Sequence, residues 1–523
     1  MKRIYFIFVA IIITLSTASI ICAEEASGFV FEDLNKNLKR DAGEKGVAGV
    51  LVSNGREVVK TNENGAYVLP AAMDEAVFFI TKPANYALPV DENNLPQFYY
   101  IHRPEGSPSL KYNGVDPTDP LPESIDFPLF KSEYTESFDV VVFGDPQPYN
   151  SREVDYIRDD IIPELIGVDA AFGITLGDIL GNTLSLYEEY NPVVGKIGVP
   201  FYNVPGNHDL NFDVPDDRYS LETFTRHFGP TYYSFNHGKV HFVILDDIEW
   251  HGKKGDKKGY YKGAVSDEQL EWLNNDLKYV DPDKLIVFSM HIPLKTMRGA
   301  TEVRYIKNTR PFFELLEGRK HALLLAAHTH TLEHHYMDEK DGWKGGNELH
   351  QIICATVCGS WWSGPEDTRG IPVADMSDGT PNGYHIFHFD GNQYSETFKA
   401  ADKDRNFQMR ISTPKGILTR KELEQSRILV NVFDGGVKST VECRVDQEYP
   451  VKMKRTIRTD PFIVELYEQY EDSMKSWVNP RRSTHIWTAP LPRDLESGLH
   501  VISVTSTDQY GREHKGYRLF EVE

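Results

Sequence analysis

Val199-Pro200-Phe201-Tyr202-Asn203-Val204-Pro205-Gly206-Asn207-His208-Asp209 decides how this chain is read. The run up to Val204 is mostly apolar and bounded by Pro and Gly, which suits a short buried strand. Gly206 then lets the backbone turn sharply. Asn207 and His208 project from that turn. Asn offers a carbonyl oxygen to a hard cation, and His offers a ring nitrogen or a movable proton. Asp209 can hold the imidazole in one orientation. Alone, such a string is equally an ordinary polar turn, so its weight depends on what the other strand ends carry.

They carry the same kind of residue. Asp145 and Gln147 follow the run Asp139–Gly144, and Asp178 follows Phe172–Gly177. His291 follows Leu285–Met290, and His328 and His330 follow Ala322–Ala327. In open α/β sheets, sites gather beyond the carboxyl ends of strands. The constellation resembles the calcineurin-like metallophosphoesterases, whose motifs run Asp-x-His, Gly-Asp, Gly-Asn-His-Asp/Glu, His and Gly-His-x-His. The likeness covers roughly residues 138 to 395.

The resemblance implies two facing sheets sandwiched by helices, and two divalent cations (Mn, Fe or Zn) roughly 3.5–4 Å apart. It implies Asp145, Gln147, Asp178 and His330 around the first ion, and Asp178, Asn207, His291 and His328 around the second. A water activated by the metals would attack phosphorus in line. His208 would steady the phosphoryl oxygens or protonate the leaving oxygen, with Asp209 fixing its ring. Two positions depart from the family pattern: Gln147 stands where it has His, and Ala327 where it has Gly. A carboxamide oxygen is harder than an imidazole nitrogen, which favours Mn at the Gln147 site.

Outside this core the chain reads as further modules. Its 523 residues suggest about three domains. Met1-Lys2-Arg3 and the apolar stretch Ile4–Ile21 read as a secretory signal cleaved after Ala23, hence an exported protein, periplasmic or at the cell surface. An uncleaved anchor and a lipoprotein through Cys22 are the alternatives, and no span is expected after cleavage. Residues 26–131 show short β-type runs between Gly, Asn and Asp turns, and look like the Cna-B/SdrD-B type of sandwich. Within them Asp33, Asn35, Asn37, Asp41 and Glu44 fall at calcium-loop spacing, although Leu38 replaces the turn glycine. A plain solvated loop is the other reading. Residues 103–127 read as an ordered strap.

The catalytic segment, 138–395, alternates strand and helix: helices are expected over 151–166, 184–197 and 221–228, and from a capping box at Ser266 to about Val280. Gln351–Cys358 reads as a strand carrying two buried free thiols, Cys354 and Cys358. Trp361 and Trp362, in a long loop beside the metal motifs, could wall a substrate pocket or cap the core. His334, His335 and His350 read as core or surface residues. Residues 400–523 resemble an immunoglobulin-like sandwich ending in a hairpin. The expected architecture is therefore multidomain, a central α/β sandwich between all-β N- and C-terminal domains, as in Bacteroidetes-type calcineurin-like phosphoesterases.

The net charge of −22 is spread along the chain. It argues against nucleic acid as a partner and requires a phosphoester substrate to be attracted locally. The expectation is an exported two-metal phosphoesterase for a mono- or diester, with a monomer as the expected state. A cell-surface binding protein with a vestigial site is the alternative.

Overall fold

Runs such as Val140-Val141-Val142-Phe143 and Leu285-Ile286-Val287-Phe288 are apolar at every position, so as strands they need cover on both faces. They receive it from each other and from helices. The computed structural model describes residues 25–71, 75–255, 257–297, 306 and 308–523; the leader read over residues 1–23 lies outside them. In the middle of the chain two mixed sheets face one another. The first has five strands in the order Phe201–Val204, Phe172–Leu176, Ser137–Phe143, Gly383–Asp390 and Gln393–Ala400. The first three are parallel, Gly383–Asp390 runs antiparallel to them, and Gln393–Ala400 pairs antiparallel with it as a hairpin. The second has six, in the order Tyr233–His237, Val240–Ile244, Leu285–Ser289, Ala322–Ala326, Leu349–Ile353 and Glu333–Met337, of which the middle four are parallel. Aromatic rings interlock between them: Tyr202 stacks on Phe235 at 3.9 Å, and Phe172 meets Phe242 edge-on at 5.1 Å. An isolated bridge, Gly144 to Thr356, joins the two sheets just beyond the strand ends.

The helices are shorter than the sequence pattern suggests. Ser151–Asp160 is capped by Asn150, whose side chain accepts from Glu153 N, but Pro163 follows closely and the chain tightens into a 3-10 turn over Ile162–Glu164. The span 184–197 is broken into a 3-10 turn, the helix Tyr187–Val194 and a second 3-10 turn that stops at Gly198. Ser266 caps Asp267–Leu277 as expected. The reciprocal half of the box is missing, because the Gln269 amide binds the backbone of Asp246 instead. The strand read over 351–358 ends at Ile353, and Cys354 and Cys358 sit in the turn beyond it. Both thiols are free and buried, as is Cys443.

The N-terminal module is a pair of four-stranded sheets. In its Asp33–Glu44 loop the amides of Asn35 and Asn37 both donate to Asp41 Oδ2 at 2.8 Å, and Glu44 accepts from Leu34 N and Asp41 N. Leu38 takes φ 65°, the left-handed position where a glycine was expected. The strap lies over the helix Glu222–Phe228: Tyr112 O accepts from Thr223, and Gly114 O from Arg226. The C-terminal module packs a four-stranded sheet on a five-stranded one and ends in the hairpin Gly498–Thr507/Glu513–Val522. The catalytic sheet runs to Ala400, past the boundary at 395, because Gln393–Ala400 pairs along its whole length with Gly383–Asp390. Among the described residues no helix is long and apolar enough to cross a membrane.

Candidate active site

The strand ends deliver their polar side chains through strained turns. Asp145, Gln147, Asp178, His328 and His330 all have φ between 34° and 68°. A non-glycine residue there costs on the order of 1–3 kcal/mol, and such strain persists only where the surroundings impose it. Two glycines allow the turns to meet. A Cβ on Gly206 would lie 2.0 Å from Asp178 N, and one on Gly177, itself at φ 81°, would lie 2.6 Å from the His291 ring.

The result is a buried cluster. Asp178 Oδ1 accepts His208 N at 2.7 Å, and its Oδ2 lies 3.2 Å from His291 Nε2. His291 Nε2 is also 3.2 Å from Asn207 Oδ1 and 3.1 Å from His328 Nδ1. Asp178, His291 and His328 each place a ligand atom within 4.8 Å of the others. Asp145 Oδ2 accepts His328 N at 2.9 Å and lies 3.9 Å from His330 Nε2. Gln147 is buried beside them, its Nε2 3.5 Å from Asp178 Oδ2 and its Oε1 turned toward the Cys358 thiol at 3.8 Å. A half-turn of the amide would present the oxygen to the cluster instead.

The imidazoles are oriented from behind. Leu176 O accepts from His291 Nδ1, and Gly359 O accepts from His330 Nδ1, each at 2.8 Å. That leaves both Nε2 atoms facing the carboxylates. Burial opposes charge on His291, yet Asp178 and Asp145 outweigh it and raise its pKa to about 10. Burial pushes the Asp145 carboxyl well up against the pull of His291. For Asp178 burial acts in the same direction, but His291 and His208 overcome it and hold the carboxyl below its ordinary value. Asp145 Oδ1 is buried and accepts no hydrogen bond among the described residues. Such an oxygen, amid carboxylates and imidazoles aimed at one space, fits a divalent cation, which would satisfy it and displace the competing protons.

Asp209 does not orient His208. Its carboxylate accepts from Tyr187 Oη, Gly206 N, Ile179 N and Leu180 N, at 2.8, 2.8, 3.2 and 3.2 Å. It therefore ties the turn after Phe172–Leu176 to the turn after Phe201–Val204. The partner of His208 Nδ1 is Asn182 Oδ1, at 2.7 Å. Asn182 was absent from the sequence reading; its place in Gly177-Asp178-Ile179-Leu180-Gly181-Asn182, four residues after Asp178, was the available signal. Trp362 is no pocket wall: it is buried, and its indole N–H donates to Pro146 O. Trp361 does reach the site, stacked on His330 with ring centroids 3.7 Å apart.

Three family profiles match in succession: the N terminal of calcineurin-like phosphoesterase over residues 35–113, calcineurin-like phosphoesterase over 138–332, and the C terminal of calcineurin-like phosphoesterase over 352–514. A curated relative from Arcobacter nitrofigilis, "Probable glycerophosphodiester phosphodiesterase GpdQ", is 29% identical over 160 residues, which are 30% of this chain and 55% of that protein. The chain thus spans about half the length of the curated relative it matches. Among solved structures, a dimetal phosphatase from Danio rerio aligns with 14% identity over 50% of this chain and 96% of its own, at a TM-score of 0.36. Purple acid phosphatase PPD1 from yellow lupin (Lupinus luteus) seeds aligns with 14% identity over 68% of this chain and 67% of its own, at a TM-score of 0.35. With the family's N-terminal, catalytic and C-terminal profiles matched in order along it, the chain belongs to the calcineurin-like phosphoesterases.

Proposed function

We propose that the chain hydrolyses a phosphate mono- or diester with the help of two divalent cations held between the sheet ends. The observation that carries this reading is the convergence on Asp178, one oxygen taken by His208 N and the other 3.2 Å from His291 Nε2. Asp145, Gln147, Asp178 and His330 would hold one cation, and Asp178, Asn207, His291 and His328 the other. Bound there, the cations supply Lewis acidity toward the phosphoryl oxygens and a nucleophile at neutral pH. The Gln147 site would favour manganese, since its carboxamide oxygen is a hard donor.

The chain's own residues do the rest. Leu176 O and Gly359 O fix the tautomers of His291 and His330. Asn182 holds Nδ1 of His208 protonated, so Nε2 is the nitrogen that exchanges a proton with substrate. Burial lowers the His208 pKa, with Asp178 opposing, so its imidazolium gives up a proton readily to a leaving oxygen. A quarter of that side chain, 26%, remains exposed and within reach of substrate. The proposed setting is outside the cytoplasm, supported by the basic and then apolar first 23 residues.

Elemental analysis and a phosphoester panel assayed with added manganese test the reading. About two bound ions per chain are expected, with Asp178→Asn lowering both occupancies. Protein that takes up neither manganese nor zinc and hydrolyses none of the panel would overturn it.

A further inference from the structure

An arc of aromatic side chains runs from His208 to His330, and its middle member comes from the C-terminal domain. The Tyr149 ring lies 6.1 Å from that of His208, and Trp477 lies 6.3 Å from Tyr149. Trp361 lies 6.4 Å from Trp477 and stacks on His330 at 3.7 Å. Trp477 is 49% exposed, while Tyr149 and Trp361 are half-buried, so ring surface is left open along one flank of the site. Trp361 sits at φ 57°, a conformation that a bulky residue keeps only when its surroundings impose it. The C-terminal domain packs against it: Trp361 lies on Ile463, Tyr467 and Val478, and Gly364 N donates to Ser473 O. Lys475 adds a positive charge to the arc, its Nζ 4.6 Å over the Tyr149 ring and 3.0 Å from Glu153 Oε1.

We propose that this arc is the subsite for the alcohol portion of the substrate, and that it selects phosphoesters whose leaving group carries a flat, unsaturated ring over esters of open-chain alcohols. The inference rests on the phosphoesterase reading above. The direction follows from His208: the group that protonates the leaving oxygen marks the side on which the leaving group lies, and Tyr149 and Trp477 are next to it. Ring faces stacked on indole and phenol gain attraction that a flexible chain does not.

The test uses the full chain loaded with manganese, as wild type, Trp477→Ala and Trp477→Phe. Calorimetry gives the Kd of phenylphosphonate and propylphosphonate, whose carbon–phosphorus bond is not hydrolysed, and KM is read for phenyl and propyl phosphate. Wild type is expected to bind the phenyl member of each pair more tightly. Trp477→Ala should cut that phenyl-to-propyl preference by roughly five- to hundredfold, and Trp477→Phe should restore most of it. Equal binding of the two phosphonates by wild type, or a Trp477→Ala preference equal to wild type, overturns the subsite. Failure to bind either phosphonate, together with failure to hydrolyse any member of the mono- and diester panel, overturns the phosphoesterase reading, and this one with it.

Discussion

His208 sits at the edge of the cluster with one nitrogen committed to Asn182 and the other 4.0 Å from Asp178 Oδ2. That placement suits proton transfer better than ligation. His208→Asn is expected to retain metal and to lower turnover by roughly 10²–10⁴-fold, with a smaller loss for p-nitrophenyl esters, whose leaving group needs little protonation. Metal content measured beside the rate checks it; loss of both together would make His208 a ligand. Asn182 and Asp209 should separate cleanly. Asn182→Gly, which tolerates the left-handed backbone at φ 71°, should leave the fold intact and slow turnover by freeing the ring. Asp209→Asn confronts backbone N–H groups of Gly206, Ile179 and Leu180 with an amide. Buried donors left unsatisfied cost about 1–3 kcal/mol each, so a clear fall in Tm is expected on thermal melting, whatever the rate does. At Gln147 the amide oxygen now faces a thiol that burial keeps well above its ordinary pKa and therefore protonated. Gln147→His is expected to tighten the first cation site and weaken its preference for manganese, as read by metal titration.

Between elements, the site depends on how closely two turns approach. The turn after Phe172–Leu176 and the turn after Phe201–Val204 are pinned together by Asp209 and separated by nothing but the missing side chain of Gly206. A methyl there would stand 2.0 Å from Asp178 N, which a backbone contact cannot absorb. Gly206→Ala should push the turns apart, lowering metal affinity and stability together, and Gly181→Ala, whose methyl would first meet the side chain of Tyr149 rather than backbone, should leave metal affinity far less changed. Isothermal titration with manganese on the two variants distinguishes them. Outside the site, the 3-10 turns at Pro163 and before Gly198 close the helical spans that precede Phe172–Leu176 and Phe201–Val204.

At the scale of the molecule, the C-terminal domain is fastened to the catalytic sheets through a buried polar junction. His334 Nε2 meets Asp434 Oδ1 at 2.8 Å, Gln509 donates to Glu396 Oε1 at 3.2 Å, and Arg512 approaches Glu396 Oε2 at 3.8 Å. Burial and then the Asp434 charge raise Glu396 from 4.5 to about 8, against His334 and Arg512. Burial raises Asp434 from 3.8 to about 6, with Arg512 opposing and Asp508 adding to the rise. Both carboxyls therefore bind protons more tightly folded than unfolded. The folded state holds the extra protons between the unfolded and folded values, so the junction loses stability as pH rises from about 4 to about 8. Melting curves across that range should show Tm falling, and Glu396→Gln should flatten the fall. A wild-type profile as flat as the variant's would show that the pair does not control docking. Removing residues 400–523 would also expose Leu332, Met376 and Phe398, which pack with Phe433. Such a core should be poorly soluble even though the proposed ligands, Asp145 to His330, all lie within it.

The local pattern of the chain was enough for much of this. Apolar runs that stop at Asp, Asn, His or Gln declare both the strands and the residues at their ends, because burial and polarity alternate within a few positions. Asp145, Gln147, Asp178, Asn207, His291, His328 and His330 were legible for that reason, and so were the β modules on either side. What the pattern could not carry is direction. Whether Asp209 faces its neighbour His208 or the backbone of Ile179 depends on where a second turn passes, and that turn comes from another strand. Whether Trp361 or Trp362 opens to the site depends on which indole Pro146 O captures. Trp477, more than a hundred residues beyond Trp361, had no local signal at all. It joins the site only because the C-terminal domain packs against the Trp361 loop, and contacts between distant segments are set by tertiary packing rather than by spacing along the chain.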